Sequence, residues 1–201
     1  MDAARIILLT LLLAPPAAAQ PAMEEFGAWT LRCVADRMTD RTACTLRHRD
    51  WVERPGAQPG LQLEVIARGG RLLPAVTARD LPLEGAARAL LALAGVAQLR
   101  LDAHPMMELP CALEGRSLVC APRPADAARA AEELPGAARA LVRMSGLGAG
   151  TAPGAEPVEL RLSGIAPALE RFRRLQPPGA APPPPGLDLR ELLERLRALL
   201  G

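Results

Sequence analysis

Four cysteines constrain the fold of this 201-residue chain more than any other feature. They lie in two pairs, Cys33 with Cys44 and Cys111 with Cys120, and the pairs flank the turn-like stretches VADRMTDRTA and ALEGRSLV. Two antiparallel strands joined by such a turn bring their cysteines within bonding distance. Four cysteines allow three pairings, and the sequence alone does not choose among them, but we favour the local pairing.

The N-terminus indicates an oxidising compartment. Residues 1–19 read MDAARIILLTLLLAPPAAA, in which Arg5 precedes a short apolar run and an A-x-A site lies before Gln20. This pattern predicts a secretory signal peptide that is cleaved after Ala19. A retained membrane anchor is the rival interpretation, but the run is too short to span a bilayer and ends in prolines. We therefore expect a periplasmic or secreted protein with disulfides, which is not an integral membrane protein after cleavage.

A metal site is the alternative interpretation of the cysteines. Two sets of side chains could ligate zinc: Cys33, Cys44 and His48, or His104 with Cys111 and Cys120. Neither spacing resembles the C-x2-C pairs that are typical of structural zinc sites, and oxidation competes for the thiols. We expect no metal and no cofactor.

Alternating apolar and polar residues predict a series of short strands. In WTLRCVA the residues Trp29, Leu31 and Cys33 share one face, and LQLEVIAR places its apolar residues on one face in the same way. Gly69 and Gly70 form a hairpin turn signal before RLLPAVTA. Further strands are predicted in ACTLRHRDWV, VAQLRLDA, MMELPC, SLVCAP, ALVRMSGL and PVELRLSG.

Two stretches, PADAARAAEEL and IAPALERFRRL, predict short helices, and residues 82–95 are ambiguous between helix and loop. Many short strands with turn signals predict a mainly β fold, a β-sandwich or barrel-like domain with a few short helices. After the signal peptide we assign 20–176 to this disulfide-containing domain, 177–186 to a proline-rich linker and 187–201 to an amphipathic helix.

The predicted C-terminal helix carries an apolar stripe that must be buried on some surface. The stripe consists of Leu189, Leu192, Leu193, Leu196, Leu199 and Leu200. We expect an interaction element that acts by self-association or by docking onto a partner, with folding back onto the domain as the alternative. Its acidic and basic residues balance, which argues against an anionic membrane as the main target.

The formal net charge of +2 does not indicate nucleic-acid binding.

The two histidines give no case for catalysis. His104 lies near Asp102, but the serines lack a nucleophile-elbow context, so a solvated loop histidine is favoured over a hydrolase. Three further motifs are interpreted without a catalytic role. RHRDW is a small cationic patch at a strand end, and GLGAG at 146–150 is a flexible loop. Glu132 and Glu133 are expected to face solvent.

Three groups of motifs lie between residues 26 and 175: FGAWTLRC followed by ACTL, LRLDAHPMMELPC with GRSLVCAP, and PVELRLSGIAPALERFRRL. Together they resemble the invasion-associated locus B family of exported bacterial proteins. The second cysteine pair is spaced more widely than in the family, and the linker and leucine helix are additions.

The resemblance implies a periplasmic or surface-associated protein of a family linked in some pathogens to host-cell entry, and it supplies no catalytic residues. It also implies that FGAWTLRC is the first core strand and that Trp29 is a core anchor packed beside a disulfide. We therefore expect a non-catalytic envelope protein that binds a protein or envelope component, with a periplasmic hydrolase-like enzyme using His104 as the alternative.

Overall fold

The computed structural model describes residues 22–56, 60–81, 95–145 and 156–176. The predicted signal peptide, the linker, the C-terminal helix with its leucine stripe, the GLGAG stretch and most of the ambiguous stretch 82–95 lie outside the described residues. Within them the chain is mainly β, with two short α-helices and one 3-10 helix.

Ten antiparallel strands in the described part of the chain form one sheet, in the order β1-β2-β3-β4-β5-β8-β7-β6-β9-β10. The strands are β1 Ala22–Phe26, β2 Trp29–Asp36, β3 Arg41–Glu53, β4 Leu61–Arg68, β5 Arg71–Ala78, β6 Val96–Leu101, β7 Met107–Glu114, β8 Ser117–Cys120, β9 Arg139–Ser145 and β10 Val158–Arg161. The helices are α1 Pro124–Glu133, the 3-10 helix Leu134–Gly136, and α2 Ile165–Leu175.

The sheet curls until its last strand returns to β3. The ring Nε2 of His48 on β3 lies 2.8 Å from the carbonyl oxygen of Arg161 on β10. The curl encloses one main core, to which the sheet, the 3-10 helix and both α-helices contribute buried side chains. The prediction of a mainly β, barrel-like domain with a few short helices is confirmed.

Helix α2 covers one end of this core. Its buried residues Ile165, Ala168, Leu169 and Phe172 recur at the spacing of a single helix face. On its flank Arg171 donates hydrogen bonds to both carboxylate oxygens of Glu24 on β1, at 2.7–3.0 Å. Strand β10 and helix α2 are therefore fastened to β3 and β1, respectively.

Strand β2, which begins within the motif FGAWTLRC, is a core strand that carries the buried Trp29, Leu31 and Cys33, and a further strand lies before it. A preceding strand, β1, pairs with β2 from Phe26 opposite Trp29 to Ala22 opposite Cys33. Gly27, with a φ of +58°, makes the turn between them. The sequence AMEEF does not alternate, so β1 could not be recognised without its pairing partner.

Both disulfides join residues that face each other across neighbouring strands. Cys33 is bonded to Cys44 between β2 and β3, and Cys111 is bonded to Cys120 between β7 and β8. This is the local pairing that the sequence analysis favours. The bonds occupy all four sulfur atoms, so the alternative of thiolate zinc ligands does not apply.

Candidate binding groove on the outer face of the sheet

An open groove of about 740 Å³ lies on strands β1 to β4, mainly on the face opposite the core. The alternation of β2 explains its position, because Trp29, Leu31 and Cys33 turn into the core and the residues between them turn outward. The lining residues are Met23, Thr30, Arg32, Val34, Thr45, Arg47, His48, Arg49, Trp51, Gln62 and Asp80.

Arg32 is the arginine of the groove whose charge is left uncompensated by the described residues. Its guanidinium has no hydrogen-bond or ion-pair partner among the described residues. Met23 on β1 and Thr45 on β3 are its neighbours in the pairing register, and Val34 follows it on the same face of β2. Met23 is 65% exposed and Val34 is 48% exposed, so a free positive charge lies among exposed apolar groups.

The other two arginines of the groove are already paired. Arg47 Nε lies 3.3 Å from Glu64 Oε2, and Arg49 Nη1 lies 3.5 Å from Glu25 and donates to the carbonyl of Gly27. Arg32 is therefore the positive charge of the groove that is most available to an anionic group of a ligand.

Glu64, a buried residue of β4, holds the groove residue Arg47 in place. Its side chain is 3% exposed, and it accepts hydrogen bonds from Arg47, from the hydroxyl of Thr77 at 2.7 Å and from Arg79. A buried carboxylate is stable only when it is paired and hydrogen-bonded in this way. The network holds the Arg47 guanidinium against the sheet.

Beyond the first disulfide, the β2–β3 hairpin projects from the domain with residues 34–43 exposed. Met38 at its tip is 92% exposed. The carboxylate of Asp36 accepts hydrogen bonds from the N–H of Met38 at 2.8 Å and from the hydroxyl of Thr39 at 2.9 Å. These bonds hold the pKa of Asp36 below its usual value and brace the turn between β2 and β3.

Trp29 and His48 lie beneath this surface in the core. His48 is 1% exposed, and the ring of Trp29 meets it edge to face at a centroid distance of 5.3 Å. The His48 Nδ1 accepts the N–H of Asp50 at 3.0 Å, which assigns the proton to Nε2 for donation to Arg161. His48 is thus not part of a solvated cationic patch, as the RHRDW motif suggested, because β3 turns it inward.

The position of Trp29 also refines what the resemblance implies. Trp29 is a fully buried core residue on the face of β2 that carries Cys33. The Leu31–Leu46 pair lies between the Trp29–His48 pair and the disulfide. The neighbour of Trp29 in the register is therefore a histidine rather than a cysteine.

His104 does not pair with Asp102. The Asp102 carboxylate accepts the N–H groups of Ala138 and Arg139 at 3.0–3.2 Å. His104 is half exposed, and its Nδ1 lies 3.5 Å from Glu133 Oε1. The expectation that Glu133 faces solvent is wrong, since its side chain is only 9% exposed where α1 packs beside the loop of His104.

Among the described residues, no group of three or more His, Cys, Asp and Glu side chains is placed to hold a metal ion. The helices in the same part of the chain include none that is long and apolar enough to cross a membrane.

Sequence reasoning singled out RHRDW but missed Arg32, Met23 and Val34. The alternation of WTLRCVA already places Arg32 and Val34 on the outward face. Their connection with Met23 depends on the register of β1, which the local sequence does not reveal.

Neither the protein-family models nor the curated proteins match this chain. Among solved structures, the chain is similar to invasion associated protein B from Bartonella henselae, with 16% sequence identity and a TM-score of 0.48. The match covers 77% of this chain and 97% of that protein.

Proposed function

We propose that this protein is an exported, non-catalytic envelope protein that binds a protein or cell-envelope partner in the groove of β1 to β4. The observation that carries the proposal is the unpaired guanidinium of Arg32 between the exposed side chains of Met23 and Val34. Arginine beside apolar side chains is a common arrangement at the energetic centre of an interface.

The rigidity of the surface supports binding. The Cys33–Cys44 disulfide staples the hairpin that carries the groove, and Asp36 orders its tip. A preorganised surface loses little conformational entropy when a partner binds, so few contacts suffice for specific association.

Export is supported by the predicted signal peptide and by four oxidised cysteines. The motifs that resemble the invasion-associated locus B family add to this proposal, because that family is exported. We do not propose a role in host-cell entry.

Photo-cross-linking in the native envelope tests the binding site. A photoreactive amino acid replaces Thr30 or Thr45 in the full chain, and Ala112, exposed on β7, provides the matched control position. We expect Thr30 and Thr45 to yield the same discrete adduct, which Ala112 does not give and which Arg32→Ala abolishes. Equal adducts from all three positions, or adducts that persist in Arg32→Ala, would contradict a specific groove.

The hydrolase-like alternative has one observation in its favour. His104 and the largely buried Glu133 form a histidine–carboxylate pair, with 3.5 Å between Nδ1 and Oε1. A carboxylate in that position can orient a histidine that acts as a general base. Replacement of His104 by alanine, with ester and glycan substrates as the assay, tests this alternative.

A further inference from the structure

We infer that Arg139 and Arg161 form a binding site for a phosphate group on the outer face of the sheet. These arginines lie on β9 and β10, at the opposite end of the strand order from the groove of β1 to β4. The inference therefore goes beyond the proposed function and does not depend on the groove. It is supported by the register of the two strands, by the charges around the pair and by the backbone bonds that fix it.

The two arginines face each other directly across antiparallel strands. Arg161 is opposite Arg139 in the register, and both side chains are exposed on the outer face. The next pair is joined by a hydrogen bond from the N–H of Leu162 to the carbonyl of Ala138 at 2.8 Å, so the two arginines form a pair of the non-hydrogen-bonded type. Side chains approach each other most closely in such pairs, so both guanidinium groups can reach one ligand.

The positive charges of this pair are not compensated within the described part of the chain. Neither guanidinium has a hydrogen-bond or ion-pair partner among the described residues. Asp102, on the other side of β9, uses its carboxylate to accept the N–H groups of Ala138 and Arg139. Glu159, on the same face as Arg161, makes no ion pair with a described residue. Like charges directly opposite each other destabilise a strand pair, so an anion that binds both arginines relieves this repulsion.

A second arginine pair in the sheet shows how such a pair is compensated within the protein. Arg68 lies opposite Arg71 at the end of the β4–β5 hairpin. Glu114 on β7 forms an ion pair with Arg68 and neutralises one of the two charges. No described carboxylate does the same for Arg139 or Arg161, so an external anion can take the corresponding role.

Hydrogen bonds on the far side of each strand hold the pair in position. The N–H of Arg139 donates to the carboxylate of Asp102, and the carbonyl of Arg139 accepts the N–H of Asp102 at 3.1 Å. The carbonyl of Arg161 lies 2.8 Å from Nε2 of His48, which is buried on β3. Both backbones are thus fixed by partners outside the pair, and only the two side chains lose conformational freedom when a ligand binds.

The rest of this face is positively charged as well. Arg100 on β6 and Arg143 on β9 donate hydrogen bonds to uncharged acceptors, the carbonyl of His104 and the side-chain oxygen of Gln98. The face of β6, β9 and β10 therefore carries four arginines against two carboxylates, namely Arg100, Arg139, Arg143 and Arg161 against Asp102 and Glu159. Such an excess of positive charge attracts anions to the pair.

A phosphate monoester fits the pair in charge and in geometry. It carries a charge of about −1.5 to −2 at neutral pH and offers three acceptor oxygens. Each guanidinium presents a planar fork of N–H donors that binds phosphate oxygens in a bidentate manner. A carboxylate has one charge and two oxygens, so it compensates only one of the two arginines. Because the pair is exposed, the phosphate can be the terminal group of a larger molecule such as a lipid.

Titration of the purified mature protein with inorganic phosphate tests the site. The Nε–Hε NMR signals of the arginines report binding, and chloride at the same ionic strength controls for screening. We expect the signals of Arg139 and Arg161 to follow one saturable curve with phosphate and to remain unchanged with chloride. Arg71, from the compensated pair, is the internal control and should not respond.

Charge variants test the contribution of the pair. Arg161→Gln should weaken phosphate binding by at least about threefold, as expected for the loss of one exposed ionic contact. Arg161→Glu places opposite charges across the two strands, so it should abolish binding while the domain stays at least as stable in urea. Arg71→Gln removes the same charge from the compensated pair and should leave the affinity for phosphate unchanged.

Vesicles distinguish a lipid headgroup from free phosphate as the source of the ligand. If the ligand is a headgroup, the protein should sediment with phosphatidylcholine vesicles that contain phosphatidic acid and not with phosphatidylcholine alone, and Arg161→Glu should stay in the supernatant. If the ligand is free phosphate, the protein should stay in the supernatant with both kinds of vesicle while its arginine signals still respond to inorganic phosphate. Either result supports the site.

Three results overturn the inference. Phosphate and chloride could act alike, arginines throughout the protein could respond together, or Arg161→Glu could bind phosphate as tightly as the wild type. Each of these leaves the partner-binding proposal standing, since that proposal is measured by the envelope adducts at Thr30 and Thr45. Conversely, a loss of those adducts leaves the phosphate titration as a separate observation.

Discussion

Gly27 and Gly164 pack backbone against backbone, and this contact fastens the β1–β2 turn to the start of α2. The N–H of Ala28 donates to the carbonyl of Ser163 at 2.9 Å. A Cβ atom on Gly27 would lie 2.5 Å from the Ser163 oxygen, and one on Gly164 would overlap the carbonyl of Phe26. Both glycines have positive φ angles, +58° and +83°. Neither position has room for a side chain.

Alanine at either glycine should therefore destabilise the domain strongly. The left-handed backbone alone costs about 1–2 kcal/mol for a residue with a Cβ atom. Gly115→Ala is the matched control, because Gly115 has a φ of +58° and open space around it. We expect Gly27→Ala and Gly164→Ala to lower the free energy of unfolding in urea at least about twice as much as Gly115→Ala. Equal effects would show that the close approach is unimportant.

Removal of either disulfide should lower the free energy of unfolding, and the loss should be larger for the pair whose sulfur atoms are more deeply buried. The cysteines are 11 residues apart in the first pair and 9 residues apart in the second. Chain entropy predicts a loss of about 2 to 3 kcal/mol for each paired replacement by serine. Cys120 is fully buried, so Cys111→Ser with Cys120→Ser should cost more than Cys33→Ser with Cys44→Ser. Urea unfolding of both variants measures the difference, and the reverse order would contradict the prediction.

The ion pair between Arg171 and Glu24 should be visible in an acid titration. The hydrogen bonds from Arg171, together with the charge of Arg174, hold the pKa of Glu24 below its usual 4.5. A lowered pKa stabilises the folded state above the unfolded value of 4.5, and this contribution is lost as the pH falls through the folded pKa. Arg171→Gln should move the Glu24 pKa upward and weaken the acid dependence of stability below about pH 4.5.

NMR titration of the carboxyl carbons measures this shift directly. Asp36 is the internal control, because its lowered pKa depends on the N–H of Met38 and the hydroxyl of Thr39 rather than on α2. A Glu24 pKa that does not move in Arg171→Gln would mean that the ion pair does not persist in solution.

The buried polar residues show where sequence reasoning ends. Alternation in LQLEVIAR correctly turns Leu61, Leu63 and Val65 into the core, but it assigns Glu64 to solvent. Glu64 is buried because side chains on β3 and at the end of β5 close over it after the strands pair. Such cover comes from residues distant in sequence, so a local pattern cannot reveal it. The groove could not be predicted for the same reason. Met23 lies beside Arg32 only because of the register in which β1 pairs with β2.

His48 should act as a structural residue. His48→Phe keeps a ring against Trp29 but removes the donor to the Arg161 carbonyl and the acceptor for the Asp50 N–H. Leaving such groups unpaired costs about 1–3 kcal/mol. Arg49→Gln, on the neighbouring exposed side chain, should change stability by less than about 0.5 kcal/mol. Similar urea midpoints for the two variants would contradict the structural role.

Substitution of His104 separates the non-catalytic proposal from the hydrolase alternative. We expect the wild-type protein and His104→Ala to behave alike on a panel of ester and glycan substrates. Turnover by the wild type that is lost in both His104→Ala and Glu133→Gln would support the hydrolase. Circular dichroism shows whether each variant is folded, so that a loss of activity through unfolding can be recognised.

The contact of Glu24 with Arg171 spans 147 positions of the chain, and that of Cys44 with Gln176 spans 132. Such long-range contacts slow folding, because a large loop must close before they can form. Among the described residues, β1 therefore completes its surroundings only after α2 has been synthesised. Until then the β1–β2 hairpin lacks the contacts that close its end of the core.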